Sequence, residues 1–114
     1  MPKYMVLYES TVSPDDLMEQ STPEQMQAGM DAWMAWAGKC GDALVDLGSP
    51  VGGAASKRVT ADSTAAGDSP IAGFSVLEAR SLDEATTLVE GHPHLMTPGE
   101  PSILVLEYLP MPGM

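Results

Sequence analysis

Basic residues are scarce in this chain. Five Lys and Arg stand against sixteen Asp and Glu, a formal charge of −11 over 114 residues. Such a field repels phosphate backbones and anionic membranes, so neither nucleic acid nor a membrane surface is expected as a partner. Cysteine is scarcer still. A lone Cys40 cannot form an intrachain disulfide and no CxxC surrounds it, which fits a reducing, cytoplasmic setting. No apolar run approaches the roughly 18 residues that span a bilayer. Met1-Pro2-Lys3 leads into a short apolar stretch with neither a signal-peptide core nor a small-residue cleavage site. The chain also lacks a Ser-His-Asp order, a GxSxG elbow and a zinc signature. Gly52-Gly53 is not followed by a lysine and a capped helix, so there is no phosphate loop. No cofactor and no metal are expected.

What is present is an ordinary globular composition, 44% hydrophobic and 18% charged, long enough for one domain over residues 1–114 with a real core. Tyr4-Met5-Val6-Leu7-Tyr8 is a strand, apolar on both faces. Ser13-Pro14-Asp15-Asp16 starts a short helical turn, with Ser13 as cap and Pro14 in the first position. Thr22-Pro23-Glu24-Gln25 is a capping box. Behind it Met26, Met30, Trp33, Met34, Ala37 and Leu44 recur at helical spacing, which predicts one long helix from Pro23 to about Leu47, stopped by Gly48. The nine methionines read as adaptable core filler, since several fall on that stripe.

Pro50 to Gly53 is a turn, and Ala54 to Thr60 a weak second strand. Ala61 to Ser69 is small and polar, a candidate mobile loop. Ile71 to Arg80 is the third strand. Ser81-Leu82-Asp83-Glu84 is a second capping box, opening a short helix that Gly91 ends and Pro93 keeps from resuming. Ser102 to Leu109 is the last strand, before a proline-rich tail.

The order is β-α-β-β-α-β, an α+β, ferredoxin-like arrangement with both helices on one face of a four-stranded antiparallel sheet. A sheet covered on one side should alternate apolar and polar residues. The first and last strands are apolar on both faces, and no element is left to cover the second. A second copy of the same sheet would do so, which predicts a homodimer packed through sheet faces.

Lys3-Tyr4-Met5-Val6-Leu7, Gly41 to Gly48, and the run from Gly73-Phe74-Ser75-Val76-Leu77-Glu78-Ala79 through Ser81-Leu82-Asp83-Glu84-Ala85 to Gly91-His92-Pro93-His94-Leu95 resemble the YCII-related (YciI-like, DGPF-domain) family. The resemblance covers nearly the whole chain and implies a ferredoxin-like protomer in a dimeric α+β barrel. The family is mostly uncharacterised; some members are proposed to be enzymes with a histidine in the first helix and an aspartate in a DGPF-type motif. This chain departs from both. Pro23 to Leu47 contains no histidine, and Gly67-Asp68-Ser69-Pro70-Ile71 keeps Asp68 and Pro70 without the Phe.

The candidate site is built on His92 and His94, the only histidines. An imidazole suits acid–base work near neutrality, with Asp68 as orienter. The alternative is a helix-stop turn whose imidazoles cap carbonyls. Tyr4, Trp36, Ser49 and Lys57 are the ligand-binding candidates. Tyr4, Tyr8 or Tyr108 can present a phenol to a pocket between sheet and helices, or simply pack. Trp33 and Trp36 can line that pocket or belong to the core. Lys57 and Arg58 can meet an anion, but neighbours on a strand point to opposite faces, so at most one serves a given pocket. Asp42 and Asp46, four apart on the long helix, are either a carboxylate pair or a solvated face. Two functions remain open: a non-catalytic dimer that binds a small molecule or a protein, and a cofactor-independent enzyme using a histidine.

Overall fold

The computed structural model describes residues 1–52 and 55–112. Gly53 and Ala54, in the expected turn and at the start of the expected weak strand, lie outside the described residues, as do Gly113 and Met114 of the tail. The chain runs β1 (Lys3–Glu9), α1 (Pro14–Gln20), α2 (Pro23–Cys40), a 3-10 turn (Gly41–Ala43), β2 (Leu44–Pro50), β3 (Lys57–Val59), β4 (Thr64–Ala66), β5 (Ile71–Glu78), α3 (Leu82–Val89), a 3-10 turn (Pro93–Met96) and β6 (Ser102–Glu107). No helix among the described residues is long and apolar enough to cross a membrane.

Four strands form an antiparallel sheet in the order β2-β5-β1-β6. This α+β arrangement is consistent with a ferredoxin-like fold. Period-two alternation sends Tyr4, Val6 and Tyr8 of β1 inward, where all three are buried. Val6, Tyr8 and Leu77 pack with Trp36 and Cys40 of α2 and Val89 of α3. Tyr4 forms a smaller cluster with Ala79 and Ala85.

The local start signals act as the residue types dictate. The Ser13 hydroxyl accepts from the Asp16 amide and opens α1. At Thr22 the box is reciprocal: its Oγ1 accepts from the Gln25 amide at 3.1 Å, and Gln25 Oε1 accepts from the Thr22 amide at 2.8 Å. At α3 half of the expected box forms. Ser81 Oγ accepts from the Glu84 amide, but the Glu84 carboxylate takes the amide and guanidinium of Arg80 instead, a charge-assisted pair at 2.8 Å.

The long helix is shorter than its spacing predicts. It ends at Cys40, and the segment expected to be its last turns is strand β2. Gly41 adopts φ 58°, ψ −130°, a conformation closed to residues with a Cβ, and this breaks the helix. Leu44 then pairs with Leu77 and joins the core, so tertiary pairing overrides the helical period. Asp42 and Asp46 accordingly share no helix face: Asp42 is in the 3-10 turn and Asp46 on the strand. Gly48 is not a helix stop but sits in an irregularity of β2, at φ 79°, where a Cβ would collide with the Phe74 carbonyl.

The second sheet strand is therefore 44–50 rather than 54–60. Lys57–Val59 instead pairs with Thr64–Ala66 in a separate, exposed hairpin. The stretch expected as a mobile loop carries β4 and a closed turn, in which the Thr60 amide donates to the Ser63 carbonyl at 2.7 Å.

The sheet face away from the core is apolar. Cross-strand neighbours Met5, Leu7, Phe74 and Val76 line it, with Leu104 and Leu106 of β6 43% and 45% exposed. The molecule is a thin slab, 44 × 42 × 20 Å, with a radius of gyration of 15.5 Å. A compact chain of this length would have roughly 13 Å.

Candidate functional site

The end of β1, the irregular end of β2, α1 and the middle of α2 line a half-open cavity of about 300 Å³. Its wall is mainly apolar, with Val12, Leu17, Met18, Met30, Trp33 and Leu47. Tyr8, Ser10, Ser49, His94 and Thr97 supply the polar side chains. The sequence places these groups by simple means. Tyr8 reaches the cavity because β1 alternates. Ser49 follows the Gly48 irregularity. His94 is carried by the short turn that Pro93 starts, and Leu17 and Met18 by the helix that Ser13 caps.

The two histidines have separate surroundings. His92 is fully buried, with its ring centroid 4.4 Å from Trp36, 4.5 Å from Trp33 and 4.8 Å from Tyr8. Its Nδ1 accepts from the His94 amide at 2.9 Å, so the ring proton resides on Nε2. That nitrogen has no hydrogen-bond partner among the described residues. The ring packs edge-to-face against both indoles. Burial, assisted by the neighbouring His94, pushes the His92 pKa down to about 4. His92 is thus a neutral packing group that does not line the cavity.

His94 does line it. Its Nε2 lies 2.8 Å from the Glu9 carbonyl, which can only accept, so Nε2 carries a proton. Beside it Tyr8 sits 5.4 Å away, centroid to centroid, with its hydroxyl 2.8 Å from Ser75 Oγ. Burial raises the Tyr8 phenol to about 12 and keeps it protonated.

Asp68 is not brought to the histidines. It lies in the adjoining groove, exposed and paired with Arg58 at 2.7 Å. Lys57 is exposed on the hairpin, and Tyr4 is buried with its hydroxyl 3.2 Å from Glu107. Trp36 backs the cage, its Nε1 donating to the Leu88 carbonyl at 2.8 Å, while Trp33 is the indole that reaches the cavity. Of the candidates, Ser49 and His94 converge on the cavity together with Tyr8. Val12, Leu17, Met18 and Leu47 carried no signal in the sequence. Met30 did, as part of the helical stripe, but it is an exposed residue beside the cavity rather than core filler. Among the described residues no group of three or more His, Cys, Asp or Glu is placed to hold a metal.

No protein-family model matches the chain, and a search of curated proteins finds no match.

Proposed function

We propose that this chain binds a small, mostly apolar molecule in the cavity between α1, α2 and the ends of β1 and β2. The observation that carries this reading is the composition of the wall: hydrophobic side chains around a few polar groups from three different segments. The volume is at the lower end for ligand pockets. Since about 150 Å³ holds benzene, it suits a body on the order of two rings. A thermal-shift screen against aromatic fragments and metabolites tests the proposal, because a ligand that binds only the folded state raises Tm with the logarithm of its excess. A concentration-dependent rise, weakened in Met30→Asp, is expected. A screen without one such compound contradicts it.

One feature favours a catalytic variant of the same site. His94 is held through Nε2 on the Glu9 carbonyl, which leaves Nδ1 of the neutral ring free of partners among the described residues. A base so oriented can take a proton from a bound ligand. His92, neutral and enclosed, has no part in that chemistry, and Asp68 is too exposed and too engaged with Arg58 to orient it.

The resemblance to the YCII-related family and the uncovered sheet face together support a homodimer, arranged as a dimeric α+β barrel. Leu104 and Leu106, exposed on the edge strand β6, belong to the proposed contact.

A further inference from the structure

We infer that the ligand of this cavity is an uncharged hydrogen-bond donor, a phenol, alcohol or aromatic amine on an apolar body. The inference rests on the binding reading above and comes from where the protons of the wall point.

Ser75 Oγ lies 2.7 Å from the Leu47 carbonyl, which can only accept, so the serine's single proton goes there. Ser75 must then accept from Tyr8 at 2.8 Å, and the Tyr8 oxygen is left with lone pairs only. The same holds around the wall. Ser49 donates to the Pro50 carbonyl at 2.9 Å, and Thr97 to the His94 carbonyl at 2.6 Å. Ser10 Oγ is within 3.3 Å of both the Pro98 and Gly99 carbonyls. His94 spends its Nε2 proton on Glu9, so the neutral ring has Nδ1 as an acceptor. The polar side chains of the cavity thus direct their protons into the protein and offer acceptors.

The Trp33 indole is the exception, with no bond to its N–H among the described residues, and it can serve a single acceptor atom. No Lys or Arg lines the cavity. A carboxylate or phosphate entering it would lose its water for one neutral donor, in a protein of charge −11. A hydroxyl or amine on a ring meets the acceptors without that penalty. A hydroxyl also offers a lone pair to Trp33.

The test is calorimetric titration at pH 8 with four probes on one ring: p-cresol, p-toluidine, 4-methylanisole and p-toluate. p-Cresol and the amine are expected to bind. Capping the hydroxyl, as in the anisole, leaves the acceptors unmet and should weaken binding about tenfold or more. p-Toluate should not bind. Tyr8→Phe should narrow the ratio of cresol to anisole affinity. Equal or tighter binding of the anisole or of p-toluate overturns the inference and leaves the binding reading standing. Failure of all four to bind overturns both.

Discussion

Tyr8 and Ser75 face one another from adjacent strands with their oxygens 2.8 Å apart, and the direction of that bond is set by a third group, the Leu47 carbonyl at 2.7 Å from Ser75. The pair is buried. Ser75→Ala removes the acceptor for the Tyr8 proton and one donor to Leu47. It should lower stability by about 1–3 kcal/mol, read from urea denaturation. With Ser75 gone, Tyr8 is free to turn its proton to the cavity, so the variant should gain affinity for the methyl ether relative to the phenol. Unchanged stability would mean that the relay is not formed in solution.

His92 makes the fold sensitive to acid. Its folded value, about 4, lies below the ordinary 6.5, so the unfolded chain binds the proton first. The stability that comes from burying the neutral ring is fully present above about pH 6.5 and is lost as pH falls towards 4. Denaturation midpoints measured between pH 7 and pH 4 should fall, with a slope of up to one proton more than in His92→Gln. Identical slopes in the two proteins would contradict the buried, neutral His92. The same substitution should leave the protein less stable at pH 7, since the ring fills the space between Trp33, Trp36 and Tyr8.

The exposed leucines of β6 predict association. Sedimentation at micromolar concentration should show a dimer, and Leu104→Lys with Leu106→Lys should give monomers that keep the fold by circular dichroism. A wild-type monomer at that concentration would remove the dimer.

The parts legible in the sequence are those set by neighbours along the chain. Thr22, Ser13 and Ser81 announce their helices because a cap needs only residues three positions on. Tyr4 to Tyr8 announce a strand because a short apolar run closed by Glu9 and Ser10 is a local signal. Leu44 to Pro50 was obscured because Leu44 continues the helical spacing of α2. Only its pairing with Leu77 and the φ 58° of Gly41 turn it into a strand. That single displacement moved the second sheet strand, and with it Leu47, Gly48 and Ser49 of the cavity. The His-Pro-His turn was visible as a turn. That His92 goes into an aromatic cage while His94 lines a cavity depends on α2 and on Glu9, both far away in sequence. The cavity as a whole had no sequence signature, because its wall is assembled from separate segments, each unremarkable alone.

The most direct test of ligand binding uses the methionines. Met18 and Met30 line the cavity, whereas Met5 and Met111 do not. In a methyl-labelled NMR titration with p-cresol, the Met18 and Met30 methyl resonances should shift together and saturate with one affinity, while those of Met5 and Met111 stay in place. Unmoved Met18 and Met30 signals at millimolar ligand, or shifts confined to Met5 on the opposite sheet face, would contradict the cavity as the binding site.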